Sequence, residues 1–314
     1  MSGQASSYHV PIMLDEVLDI LKPERGGTFI DGTLGGGGHS EGILKRLPVG
    51  SKHFGIDRDS DAIQEAGKRL ADYPAFTAVH GNFFHMRDLL APFGVSGADG
   101  VLLDLGVSSH QLDEAERGFS YSMDARLDMR MDRSQTLDAY EVVNTYPEKR
   151  LYEIIRDYGE ERFAARIAGS IVRERAIKPI ATTSALSDII KRAMPGFAKR
   201  EAQHPAKRTF QAIRIEVNGE LDELEKAVRN AVMFLKPGGI IAIITFHSLE
   251  DRIVKNVFRS LRDPCTCPPE APICVCGKKR EIEIITNKPV VAGEEETKSN
   301  PRARSAKLRA AIKI

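Results

Sequence analysis

The sequence predicts an α/β protein: a doubly wound, mostly parallel sheet interrupted by an inserted helical domain. Three observations predict it. Short apolar runs alternate with helical patterns through the first hundred residues, the signature of a parallel sheet covered on both faces. A turn in which five of seven residues are glycine follows Phe29-Ile30-Asp31 and precedes a helical pattern. Strand signals then vanish between Gly106 and about Ala206, and return at residues 240–246.

In order, residues 28–31 read as strand one and 39–47 as a helix. Residues 53–57 read as strand two, and 59–71 as a helix opened by Asp59, Ser60 and Asp61, which suit a positive helix start. Residues 75–80 read as strand three, 84–93 as helix, and 101–104 as strand four, apolar up to its closing acid. The insertion begins irregular and polar, around Arg126, Asp128, Arg130, Asp132 and Arg133, and continues as helical patterns over 148–177 and 184–194. A long helix over about 213–235 leads to a tight turn at Lys236-Pro237-Gly238-Gly239. Strand five covers 240–246, a helix 249–261, and a closing strand 281–286, with a basic tail beyond. The expected domains are 1–105 with 207–314, which share the sheet, and 106–206, a helical insertion.

Composition narrows the class. Hydrophobic residues make up 42% of the 314, charged residues 28%, and the net charge is +1, ordinary values for a soluble globular protein. The charge is segregated. Residues 1–104 carry nine Lys/Arg against fourteen Asp/Glu, residues 160–210 eleven against five, and residues 298–314 six basic residues with no acid. Clustered basic charge is the footprint of nucleic-acid binding; a solvated helix face with a loose tail would look the same. The longest apolar run, residues 240–244, is far too short to span a bilayer. With no signal-like start and four cysteines, a cytoplasmic protein with no membrane partner is expected.

The glycine turn is not a P-loop, because His39 follows Gly38 where Lys-Ser/Thr is required. It fits the dinucleotide fingerprint only trivially. Ligands bind beyond the carboxyl ends of such strands, and here Asp31, Asp57 and Asp104 stand there. Three acids with no phosphate-binding cation favour a positively charged ligand such as S-adenosylmethionine. Asp31 lies where its ammonium or sulfonium would sit, Asp57 where a carboxylate can accept both ribose hydroxyls, and Asp104 beside the reacting methyl.

Seven segments now carry a resemblance: residues 29–40, 103–113, 116–120, 127–132, 208–214, 246–252 and 300–309. Together they resemble the bacterial family that methylates the exocyclic amine of one cytidine in the decoding region of 16S ribosomal RNA, from about Tyr8 onward. The resemblance implies a class I methyltransferase sheet and S-adenosylmethionine contacts at Gly37, Gly38, His39, Asp57, Phe83, Asp104 and Gln111. It also implies the small ribosomal subunit as partner. Two departures are His110, where many members have Pro, and Gly36, where some have a basic residue.

The cytosine amine is a poor nucleophile, so acceptors must hold its hydrogens and aim its lone pair. Asp104 is the expected acceptor, with Ser109 assisting. His247 could contact the base, but a structural role is the simpler expectation. The flipped base could stack on Phe119, Tyr121 or Phe246, although core packing is the commoner fate of such rings. Phosphate contacts are expected from Lys199, Arg200, Lys207, Arg208, Arg302 and Arg304. A non-catalytic ribosome-binding factor, or an amine methyltransferase acting on another nucleic acid, would share much of this pattern. Cys265-x-Cys267 and Cys274-x-Cys276 put four thiols in twelve residues. One intervening residue per pair departs from the usual zinc spacing, so no metal is assigned and a reduced Pro-rich loop is expected.

Overall fold

A computed structural model describes residues 11–197, 204–268 and 275–314. The chain divides into two compact units, Met1–Gly106 with Asp222–Ile314, and Val107–Leu221.

The first unit is built on one sheet. Its strands are β1 (Thr28–Asp31), β2 (Lys52–Asp57), β3 (Phe76–His80), β4 (Ala98–Asp104), β5 (Leu235–Thr245), β6 (Ile282–Ile284), β7 (Val290–Val291) and β8 (Lys307–Lys313). They lie in the order β3-β2-β1-β4-β5-β8-β6, with β7 beside β8. β1 to β5 are parallel, and β8 runs antiparallel to both β5 and β6. Central residues are buried on both faces, as in Ile30, Val101, Leu102, Leu103, Ile241 and Ile243, which is why these strands read as continuous apolar runs. The order reverses between β1 and β4, leaving a crevice at the carboxyl ends of β1, β2 and β4.

Several expectations need correction. The helix expected over 84–93 is three short pieces, Phe83–His85, Met86–Leu90 and Ala91–Phe93. Asn82 starts the first by accepting from Phe84 N–H, and Gly94 ends the last at φ 70°. The stretch at 236–239 is a protrusion within β5, where the register with β4 jumps from Ala98↔Leu235 to Gly100↔Ile240. The largest difference is the basic tail, whose second half is strand β8 inside the sheet. Arg309 is buried and donates to Asp251 at 2.6 and 3.2 Å, Lys307 lies 3.6 Å from the same carboxylate, and Lys313 Nζ holds the Met233 and Leu235 carbonyls at 2.6 Å. These three of the tail's cations are thus engaged within the fold.

The second unit is helical: Ala139–Thr145, Glu148–Asp157, Ala164–Ile177, Thr183–Ala193 and Lys207–Asn218 surround a core that includes Leu127, Met129, Ile155, Ile167, Leu186, Ile190 and Ile213. The pattern expected as one helix over 148–177 is two, parted at Gly159 and Glu160, whose φ is 47°. The helix expected over 213–235 is also two. Gly219, at φ 58°, ends the first and donates its N–H to Ile215 O, the usual glycine stop. The second break between units therefore falls at 221/222 rather than 206/207. Helix Lys207–Asn218 buries Phe210, Ile213 and Val217 in the insertion's own core. Buried Arg117 donates to the carbonyls of Arg130 and Met131, and Asn218 ties Met129 O and Met131 N–H, so the irregular polar stretch is pinned from inside. Among the described residues, no helix is long and apolar enough to cross a membrane.

Candidate active site

Each acid of the crevice is placed by the strand it ends. Asp31 closes β1 and is buried, 1% exposed. One oxygen accepts from Thr33 N–H at 3.1 Å and the other from Ser40 Oγ at 2.8 Å. The Ser40 hydroxyl in turn lies 2.8 Å from His53 Nε2. Burial holds His53 down to about 3 and pushes Asp31 up to about 6 despite its donors. His53 is therefore neutral, and protons point along one line, from His53 to Ser40 to Asp31.

Asp57 closes β2. Its two oxygens each accept one backbone N–H, from Gly35 at 2.8 Å and from Asp59 at 2.9 Å. The carboxylate thus shapes the glycine turn and keeps a further lone pair on each oxygen. Burial pushes it up to about 6 as well. The turn needs its glycines. Gly37 sits at φ 76°, and a Cβ there would lie 3.1 Å from Leu70 and 3.2 Å from Ala66. Gly37 precedes the helix Gly38–Arg46, and Arg69 braces the turn by donating to Gly36 O and to Glu41.

Asp104 closes β4. Its backbone N–H donates to Thr33 Oγ at 2.6 Å, joining the ends of β1 and β4. One carboxylate oxygen, Oδ1, is buried with no hydrogen-bond partner. The other lies 3.6 Å from His39 Nδ1. Burial pushes Asp104 up to about 6; nearby His39 pulls it down, and Asp31 and Glu250 push it further up. His39 is buried, with Nε2 2.9 Å from the Ile12 carbonyl. A carbonyl only accepts, so Nε2 carries a proton, and Nδ1 is the ring nitrogen that faces Asp104. Phe83 follows Asn82 at the end of β3, beside Gly32, where a Cβ would meet the Phe83 side chain at 3.1 Å.

The first unit thus brings together Gly37, Gly38, His39, Asp57, Phe83 and Asp104. Gln111 belongs to the inserted unit, where it is buried and exchanges hydrogen bonds with Ser108. Ser109 opens the short helix Ser109–Asp113; its side chain lies outside the described residues. His247 has the structural role. Its Nδ1 accepts from Glu250 N–H, while Glu250 reaches back to the N–H of His247, closing a capping box on Ser248–Arg262. Phe119 is core, Tyr121 stacks on His204 at 4.4 Å, and Phe246 packs beside Gly106 and the sheet's core. Lys207 is exposed and Arg208 half-buried, whereas Lys199 and Arg200 lie outside the described residues.

Sequence reasoning missed Thr33, Ser40, His53 and Glu250. For Glu250 a signal was present: an acid three residues after a capping residue is the capping-box spacing. The orphaned Asp104 oxygen and three raised carboxyls fit a cationic ligand that brings its own hydrogen-bond donors.

A parallel sheet closed by an antiparallel strand, with a glycine turn after β1 and acids ending β1, β2 and β4, defines a class I methyltransferase. Residues 6–314 match the sequence profile of the MraW methylase family, and the chain belongs to that family. Among its relatives, the "Ribosomal RNA small subunit methyltransferase H" of Symbiobacterium thermophilum is 53% identical over 308 residues, covering 98% of this chain and 97% of that protein. The protein of that name from Clostridium botulinum strain Kyoto is 53% identical over 306 residues, covering 98% and 99%.

Proposed function

We propose that this chain transfers a methyl group from S-adenosylmethionine to the 4-amino group of a cytidine in the decoding region of 16S rRNA, with the small ribosomal subunit as partner and the cytoplasm as its compartment. The observation that carries the chemistry is the buried Asp104 oxygen without a hydrogen-bond partner. An acceptor with no protein donor suits an amine that arrives with its own hydrogens. The names of the full-length relatives support ribosomal RNA as substrate.

The cofactor supplies an electrophilic methyl on a sulfonium. Asp57 accepts from the ribose hydroxyls, and the glycines from Gly35 to Gly38 let backbone approach the ligand. Gly37, Gly38, His39, Phe83 and Gln111 complete the cofactor contacts. The carboxylates of Asp31 and Asp104 offset its positive charge. Asp104 holds an amine hydrogen so that the nitrogen lone pair faces the methyl. Bound there, the cofactor would give its methyl to that lone pair, its sulfur keeping the S–C electron pair. The amine proton passes to Asp104, and Ser109 assists in holding the base. The inserted unit is the RNA-binding domain, and the basic excess over residues 160–210 within it is where phosphate contacts are expected.

The test incubates the protein with labelled cofactor and small subunits that lack the modification, then maps the label by nuclease digestion and mass spectrometry. One methyl on the amine of a single 16S cytidine is expected. Label on another nucleic acid, or tight subunit binding with no label, refutes the proposal.

A further inference from the structure

Methyl transfer leaves three cysteines without a task. Cys265, Cys267 and Cys276 flank the loop between helix Ser248–Arg262 and strand β6, far along the chain from the acids of the crevice. Their sulfurs all lie within 4.8 Å of one another. The remaining cysteine, Cys274, lies outside the described residues.

The spacing of these sulfurs is informative. Cys276 Sγ and Cys265 Sγ are 3.8 Å apart. A disulfide needs about 2.05 Å, so the two are not bonded, and a disulfide across them would have to pull the loop closed. A tetrahedral ion with sulfur ligands at about 2.3 Å sets its ligands about 3.8 Å apart along each edge. The observed separation is that edge. The unusual one-residue spacing within the pair 265 and 267 is no obstacle, because Cys276 returns from the other end of the loop to meet Cys265.

Two backbone features support the same reading. The N–H of Val275 donates to Cys267 Sγ at 3.4 Å. Such a donor steadies negative charge on a sulfur, as outer contacts of metal ligands do. Directly after Cys276 the chain turns through Gly277 at φ 65°, a conformation that glycine adopts without strain. The stretch Lys278, Lys279 and Arg280 follows at once and offsets a cluster of thiolates.

We propose that Cys265, Cys267 and Cys276 form a binding site for one thiophilic divalent cation, Zn²⁺ in the first instance, with the fourth position filled by water or another donor. Soft thiolates select such an ion over Mg²⁺ or Ca²⁺. Binding is not redox chemistry: each thiol releases a proton to solvent and each sulfur gives an electron pair to the metal. The ion ties Cys265 and Cys267 to Cys276, and so holds the chain's path into β6.

The test uses the full chain purified under reducing conditions. The metal-free protein is titrated with Zn²⁺, and separately with Co²⁺, whose thiolate charge-transfer absorption reports sulfur ligation. Binding of about one ion per chain is expected, with the cobalt band present. Alkylation of the native thiols should slow at least tenfold with Zn²⁺ and recover with a chelator. Cys265→Ser combined with Cys276→Ser should abolish stoichiometric binding while leaving circular dichroism and affinity for S-adenosylmethionine unchanged, which separates loss of the site from loss of the fold. No stoichiometric Zn²⁺ uptake by the wild-type chain overturns the proposal. So does uptake that survives the double substitution, or an intact mass two hydrogens short under mild oxidation with no metal bound beforehand.

Discussion

Asp104→Asn separates stability from catalysis. In the wild-type chain Asp104 has one buried oxygen without a partner and another 3.6 Å from His39 Nδ1. Its carboxyl is pushed from the ordinary 3.8 up to about 6. At about 1.36 kcal/mol per tenfold change, ionising it inside the fold costs about 3 kcal/mol. The side chain is 25% exposed, so solvent screening brings the expected figure to about 1–3 kcal/mol. The substituted amide carries no charge. Below pH 3.8 the wild-type carboxyl is already neutral, so its contribution to stability is fully present. That contribution is lost as pH rises through about 6. The substitution should therefore be neutral near pH 4 and stabilising by about 1–3 kcal/mol at pH 8, a rise in Tm of about 2–6 °C. Single-turnover methylation at saturating cofactor should fall by roughly 10²–10⁴-fold, the usual loss for a positioned proton acceptor. Thermal unfolding of the ligand-free protein at pH 4, 6 and 8, together with quenched single turnover, measures both. A variant that is less stable than wild type at pH 8, or one whose advantage does not shrink toward pH 4, refutes the reasoning. A wild-type single-turnover rate removes Asp104 from the chemistry.

Asp57→Ala removes the acceptor for two turn N–H groups and for the ribose, so calorimetry should show S-adenosylmethionine affinity reduced by about 1.5–3 kcal/mol, roughly 10- to 150-fold; an unchanged Kd refutes its role. Gly37→Ala places a side chain at φ 76° against Leu70 and Ala66, and should cost about 1–2 kcal/mol in urea unfolding, whereas Gly67→Ala, with nothing within 4 Å and no positive φ, should carry no such cost. Neutralising Lys199, Arg200, Lys207 and Arg208 together should weaken RNA binding and flatten its log–log salt dependence by about 0.9 or less per lost phosphate contact. Cofactor affinity should stay constant in the same variant, and an unaltered salt slope makes this run a solvated face.

What could be read in the sequence was what local physics writes there. β1, β2 and β4 end in acids after apolar runs, and that pattern survives into the structure because buried parallel strands leave no polar alternation to confuse it. The crevice followed from the strand ends. The partners of those acids did not, since Ser40 reaches Asp31 from a helix and His53 meets Ser40 from a neighbouring strand, and nothing local marks a serine as buried. β8 was hidden by its own charges. Lys307 and Arg309 look solvated until Asp251 is found beside them, 58 residues from Arg309 in the chain. Helix ends at Gly159 and Gly219 were legible, because a glycine after a helical run is a stop signal, but the apolar periodicity continued past each one and carried the reading with it.

Splitting the sheet domain has a consequence for how the chain reaches its native state. β4 ends at Asp104 and its neighbour β5 begins at Leu235, so the central pairing of the sheet closes a loop of well over a hundred residues. Left as flexible chain, a loop of that length costs about 4 kcal/mol of closure entropy. The intervening unit is one uninterrupted stretch with its own core, able to collapse on contacts nearby in sequence. Once it has done so, less of that loop remains flexible chain when β4 and β5 pair, and the closure costs less.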